Sequence, residues 1–320
     1  MSSATPNLPV LPRTRARHGR MHLLMLLVTV CWASNIIAGK EALTGFGALA
    51  LAQLRVLGAA AIFLAGFFAT GRVRRLHLSR RHWLFLVAMA ANGIALNQLT
   101  FIGGMARSTV AHTGLIVALG PVMVLAIAVV VRLEVLTAWK FTGMLIAFVG
   151  VGILTADKAG QGGSSHWMGD AILLLSTLVF AIYMILMKEV ADQLDALTLS
   201  TLTFALGALM MLPFCARAVL VTNWAALRLE AWWGLGFLIV FGSVISYLLF
   251  AYVLRELAAS RAAAFNYLQP GIASGLGIWV LSERLTSNVL IGGGLILAGV
   301  YLTERERGED KDSPGSEGRS

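Results

Sequence analysis

Along this chain, apolar residues fall in long, nearly uncharged runs, without the strict alternation of a half-buried strand or the single stripe of a soluble helix. A helix that faces lipid needs about 20 such residues to cross the hydrocarbon core. Ten runs come close to that length or reach it: His22 to Glu41, Ala48 to Thr70, Trp83 to Gly104, Thr109 to Val131, Thr137 to Leu154, Asp170 to Met187, Ala196 to Ala216, Ala231 to Leu254, Ala262 to Leu281 and Thr286 to Thr303. The pattern predicts an all-α integral membrane protein with ten transmembrane helices.

The pattern is also written twice. Leu119, Pro121, Glu134, Leu136, Thr137, Gly143, Gly150 and Val151 recur 149 residues later as Leu268, Pro270, Glu283, Leu285, Thr286, Gly292, Gly299 and Val300. Trp83 and Phe101 match Trp232 and Phe250 at the same shift, and Lys40-Glu41 matches Lys188-Glu189 at a shift of 148. The Gly- and Ser-rich stretch within 157–166 reads as a linker. Five spans precede it in residues 21–156 and five follow in 167–303. An odd number of crossings per copy turns the second copy upside down, and inverted repeats of this kind are typical of secondary transporters with a site at the midplane.

Composition agrees: 58% hydrophobic and 13% charged, against roughly 25% charged in soluble domains. The net charge of +9 does not call for a nucleic-acid partner, because it follows the topology. With the N-terminus in the cytoplasm, 18 of the 25 Lys and Arg fall on the inner side and 6 on the outer, with Arg55 inside a span. The positive-inside rule then puts both termini in the cytoplasm. Residues 1–20 read as a polar tail and 304–320 as a charged, disordered one. The first span lacks a clear cleavage site and reads as uncleaved. Cys31 and Cys215 suggest neither a disulfide framework nor a thiol pair.

Trp32-Ala33-Ser34-Asn35 followed by Lys40, together with the doubled Pro, Glu, Gly, Gly spacing, resembles the EamA family of the drug/metabolite transporter superfamily, in both copies from Met21 to Thr303. The resemblance implies a ten-span bacterial inner-membrane carrier, commonly an exporter of amino acids, other metabolites or toxic compounds, with a central cavity lined from both halves. The copies have diverged: Arg55 answers to Thr203 and Trp32 to Phe180.

Polar residues inside spans are costly unless they pair or face water, and so carry most of the chemical information. Trp32 and Asn35 share a helix face. Asn92, Asn97 and Gln98 lie in the third span, and the shift of 149 sets Asn97 on Ser246 and Gln98 on Tyr247, beside Ser243. Ser176, Phe180 and Tyr183 occupy one face of the sixth span, and Asn266 and Tyr267 the ninth. One reading is a neutral, hydrogen-bonding cavity with aromatic walls; the other is that these groups join helices. The first makes Trp32, Asn35, Asn97, Gln98, Tyr183, Ser243, Tyr247, Asn266 and Tyr267 the substrate contacts.

Pro121 and Pro270 free the carbonyls of Val117 and Asn266 and read as ordinary kinks or gating hinges. Gly143, Gly150, Gly271, Gly275, Gly292 and Gly299 read as packing faces. Glu134 and Glu283 stand at the membrane edge as helix-start carboxylates, and His112 reads as a solvated residue at the outer mouth. With no carboxylate in the middle of a span, proton coupling through one is not expected, and a proton-coupled carrier is the alternative. Arg55 could meet an anionic substrate group or bond helix carbonyls. Metal, phosphate-binding and nucleophile motifs are absent, so no cofactor, metal or enzymatic activity is expected. A structural or sensory membrane protein is the remaining class. The expected activity is alternating-access export of small neutral or zwitterionic metabolites; the sequence leaves oligomeric state open.

Overall fold

The computed structural model describes residues 13–72, 78–130, 136–155, 166–190, 193–256, 268–282 and 285–312. Its apolar helices follow the hydrophobic runs: α1 (Arg20–Leu43), α2 (Ala48–Ala69), α3 (Arg80–Met105), α4 (Val110–Ile127), α5 (Ala138–Leu154), α6 (Trp167–Met187), α7 (Ala196–Leu220), α8 (Leu229–Val253), α9 (Leu268–Leu281) and α10 (Ser287–Leu302). Among the described residues seven are long and apolar enough to cross a membrane, and α5, α9 and α10 are shorter.

Local chemistry sets several starts. Ser79 caps α3 by accepting from the His82 amide (3.3 Å), and Thr109 caps α4 by accepting from the His112 amide (3.1 Å). Asp195 caps α7 through the amides of Leu197 and Thr198, both at 3.1 Å. Burial pushes the Asp195 carboxyl up, but the Thr198 hydroxyl and amide, the Arg72 charge and the Leu197 amide outweigh it and hold the group below its ordinary value.

The pairing of helices shows that the second repeat is inverted. On α2 and α7, Gln53 Nε2 donates to Ala208 O (3.2 Å), Thr201 Oγ1 donates to Phe63 O (3.3 Å), and Arg72 pairs with Asp195. Contact positions that rise along one helix fall along the other, so these repeat mates run antiparallel. The mates α5 and α10 do likewise: a β-carbon on Gly150 would lie 2.7 Å from Gly292 O, and one on Gly299 would run into Gly143 O. Four of the glycines predicted as packing faces thus hold two backbones together, which is how small residues join membrane helices. Among the described residues Gly271 and Gly275 do not share this role, since a β-carbon there would meet nothing within 4 Å.

Between these flanking pairs the repeats interlock. In the first, α1 packs on α8 and α9 of the second; in the second, α6 packs on α3 and α4 of the first. The α4–α9 crossing closes the middle, with the Gly114 β-position 3.0 Å from Ala273 Cβ. Large apolar side chains stand exposed along the outward faces of the helices, as lipid demands. Seven of the eight Trp are exposed, Trp83, Trp139, Trp167, Trp224, Trp232, Trp233 and Trp279, most of them near helix ends as in an interfacial belt. Trp32 is the exception.

Four sequence expectations change. The first helix begins at Arg13, inside the expected N-terminal tail, and the last continues to Asp312 where a disordered tail was expected; the first extension contains Arg and Ala and the last Arg, Glu and Lys, which favour helix. The fourth span is two helices, Val110–Val117 and Gly120–Val130, broken at Ala118-Leu119 just before Pro121. The kink expected at Pro270 involves the Asn266 carbonyl, which lies outside the described residues. Finally, π-helical turns interrupt α3 at Ala90–Leu96 and α8 at Val240–Ile245, nearly matching places in the two repeats. Such turns frequently mark functional sites.

Candidate functional site

A cavity of about 110 Å³ lies where the repeats interlock, at the middle of α1 and α6. The first repeat supplies Trp32, Asn35 and Ile36 from α1, Arg55 from α2, Asn97, Gln98 and Phe101 from α3, and Val117 and Gly120 at the break in α4. The second supplies Ser176, Thr177 and Phe180 from α6, Tyr247 from α8 and Gln269 from α9. Gly120 and Gln269 are sequence equivalents, as are Trp32 and Phe180, and Gln98 and Tyr247.

Arg55 dominates the electrostatics. It is 2% exposed, and among the described residues it pairs with no carboxylate. Its Nε donates to Ser243 Oγ (2.9 Å) and its Nη2 to Gly242 O (3.1 Å), while Nη1 has no partner. The π-helical turn explains this grip. Ser243 Oγ donates five residues back to Leu238 O (3.0 Å) and so presents its lone pairs to Arg55. Gly242 is required here because the space of a β-carbon is filled by the Asn35 amide.

Two more buried polar atoms lack partners at this cavity, Asn35 Oδ1 and Gln98 Oε1. Most buried polar groups in folded proteins are hydrogen-bonded, so three orphans at one cavity set these groups apart. Asn97 differs, because its Nδ2 already donates to Ser176 O (3.1 Å) and Ser176 Oγ (3.0 Å), and it ties α3 to α6. Around the polar groups stands an aromatic wall. Trp32 lies 6.3 Å from both Phe180 and Tyr247 in edge-to-face contacts, and 5.0 Å from Phe250.

Comparison with known proteins follows the duplication. The model of the EamA-like transporter family matches residues 19–156 and again 167–305. The chain belongs to the EamA-like transporter family. It is therefore a membrane transporter and not an enzyme. An uncharacterized transporter of Archaeoglobus fulgidus is 26% identical over 288 residues, covering 89% of this chain and 98% of the relative. A probable terminal-alkyne amino-acid exporter of Streptantibioticus cattleyicolor is 25% identical over 297 residues, covering 91% and 96%. A crystal structure at 14% identity superposes with a TM-score of 0.62 over 92% of this chain and 99% of its own, which shows the fold alone.

In this EamA-family chain, Trp32, Asn35, Arg55, Asn97, Gln98 and Tyr247 line the cavity together. Tyr183 and Ser243 are set behind its wall. Tyr183 is buried over Gly93 and packs on Phe180 at 5.5 Å, and Ser243 braces Arg55. Asn92 bonds within its own helix to Ala88 O (3.0 Å). Asn266, Tyr267, Glu134 and Glu283 lie outside the described residues. Sequence reading missed Thr177 and Gln269 as lining residues, although Gln269 precedes the repeated proline.

His112 needs correction. It is 1% exposed, with Nδ1 2.8 Å from Oδ2 of fully buried Asp170, and is not a solvated mouth residue.

Proposed function

We propose that the protein exports small zwitterionic or neutral metabolites, amino acids foremost, across a bacterial inner membrane by alternating access, with both termini in the cytoplasm. The observation that carries the reading is Arg55, a buried cation that lines the cavity, has no carboxylate partner among the described residues and leaves its Nη1 without a hydrogen bond. An isolated buried charge is costly, and an anionic ligand group would offset that cost. Asn35 Oδ1 and Gln98 Oε1 offer acceptors for an ammonium group, and Trp32 and Tyr247 offer ring faces for a cation–π contact. One cation, two acceptors and an aromatic wall complement a compound that carries a carboxylate, an ammonium and an apolar part. The cavity is small beside the roughly 300–1,000 Å³ of drug-sized sites, which favours a small metabolite over a bulky toxic compound. The relative named as a probable amino-acid exporter supports the same substrate class.

Counterflow in liposomes with a panel of labelled amino acids, without an ion gradient, tests the reading. Exchange by the wild type is expected, with impaired exchange in Gln98→Ala and Tyr247→Ala that still insert and fold. Normal exchange by both variants would sink the site, and no exchange by folded wild type would sink the substrate class.

A further inference from the structure

Arg55 is the one charged residue among the described residues that line the cavity, and neutral groups alone hold it. Ser243 Oγ and the Gly242 carbonyl fix the guanidinium without cancelling its charge. Arg55 takes no part in the ion pairs of Asp195, Asp170 and Glu230. It comes from the first repeat, and both of its acceptors belong to the π-helical turn Val240–Ile245 of the second. The cation therefore sits on a joint between the repeats.

A carrier that works by alternating access passes through a state in which its cavity is closed to both sides. While the cavity is open, water solvates a guanidinium at its wall. Once it closes, the charge stands in a low dielectric among neutral partners, and that is costly. A substrate carboxylate offsets the cost on the outward passage. The return passage has the same need. Each closure calls for an anionic group beside Nη1, the guanidinium atom that has no hydrogen bond. The lining also limits what that group can be. With one cation among amides, hydroxyls, rings and aliphatic side chains, the cavity balances one negative charge and leaves a second uncompensated. Sulfate is therefore poorly matched, and the row of hydroxyls on gluconate meets the rings of Trp32, Phe101 and Phe180. A volume of about 110 Å³ is ample for a monatomic anion, to which Tyr247 adds a neutral hydroxyl donor.

We propose that Arg55 binds a small monovalent inorganic anion, of the chloride class, in the place of the substrate carboxylate, and that this anion is the counter-substrate of an obligatory exchange. Each cycle releases one metabolite and brings one anion back. For a zwitterion this moves one net negative charge inward. The direction rests on the transport reading; the anion site itself rests on Arg55.

The test follows radiolabelled chloride into proteoliposomes, with valinomycin and equal potassium on both sides to clamp the potential. The vesicles are loaded with chloride, with the amino acid active in counterflow, or with gluconate alone. Chloride is expected to enter the first two and to enter the gluconate-loaded vesicles far more slowly. Bromide outside should compete, and sulfate at equal ionic strength should not. Arg55→Gln should lower uptake into chloride-loaded vesicles by roughly tenfold or more, the scale of one charge-assisted hydrogen bond. Uptake no faster than in protein-free vesicles overturns the proposal, as does equal uptake with gluconate inside, or uptake that Arg55→Gln leaves unchanged. Thermal unfolding in detergent reads the site without transport: chloride should raise the wild-type midpoint over gluconate in a saturable way, and the same rise in Arg55→Gln is equally fatal. Should Arg55→Gln fail to fold, Arg55→Lys takes its place; it must change the chloride concentration at half-saturation, and an unchanged value sinks the site. Amino-acid counterflow without chloride flux would overturn this proposal alone, whereas chloride exchange without amino-acid counterflow would support it and overturn the substrate class alone.

Discussion

The two repeats share a backbone plan and divide the chemistry. Position by position, Asn35 answers to Tyr183, Arg55 to Thr203, Asn97 to Ser246 and Gln98 to Tyr247. The joints are the same: the Asn35 amide fills the space beside Gly242, and the Tyr183 ring fills the space beside the equivalent Gly93. Yet the first repeat supplies the cation and the amides of Asn35, Asn97 and Gln98, while at the matching positions the second supplies hydroxyls and rings, with Gln269 as its one lining amide. Thr203 shows the contrast most plainly. Its Oγ1 donates back to Leu199 O (2.8 Å) within its own helix, whereas Arg55 reaches across to α8. Duplication fixed where helices touch, and divergence decided what each contact presents to the cavity.

The largest expected effect breaks this division at its centre. Arg55→Gln should lower exchange of a carboxylate-bearing substrate by roughly 10- to 100-fold, the scale of one charge-assisted hydrogen bond, while Thr203→Val should change it by less than about twofold; counterflow with a labelled amino acid measures both. Next come the glycine joints. Gly242→Ala and Gly93→Ala should each cost about 1–3 kcal/mol by overpacking, read as thermal unfolding in detergent. Only the first, which displaces Asn35 and disturbs the Arg55 support, should also depress counterflow strongly.

A smaller effect separates the helix starts of α2 and α7. Asp195 caps α7 and pairs with Arg72, while its equivalent Gly47 gives α2 no side-chain cap. The folded carboxyl lies below its ordinary value, so its charge stabilises above the unfolded value near 3.9 and that gain is lost as pH falls through the folded one. Asp195→Asn keeps a good cap and should lose only a few tenths of a kcal/mol at neutral pH, because the pair is partly exposed. Wild type and variant should converge in acid, and a difference that persists there would exclude the charge as its cause.

Much of this was legible in the sequence because the signals are local or periodic. Lipid imposes long apolar runs, and the 148- and 149-residue shifts carry the inversion. Trp32, Asn35, Arg55, Gln98 and Tyr247 stood out because polar or bulky residues in mid-span are rare and costly. Contacts made across repeats were not legible. His112 and Asp170 are 58 residues apart and meet only because α6 packs beside α4. The π-helical turns likewise leave no mark in the apolar pattern, and without them the hold of Ser243 and Gly242 on Arg55 has no sequence signature. Gly271 and Gly275 show the opposite failure: the small-residue spacing is present, yet among the described residues nothing lies within 4 Å of either β-position.

The exchange of helices between repeats also bears on how the protein is made. The interior face of α1 is covered by α8 and α9, which are synthesised much later, and that of α6 by α3 and α4, which are synthesised before it. The first five helices therefore enter the membrane before their partners exist, with Arg55 lacking its bonds to Gly242 and Ser243. A ribosome stalled after the fifth helix would hold a half-molecule in which Arg55 and Asn97 have yet to meet the second-repeat groups that bond them here.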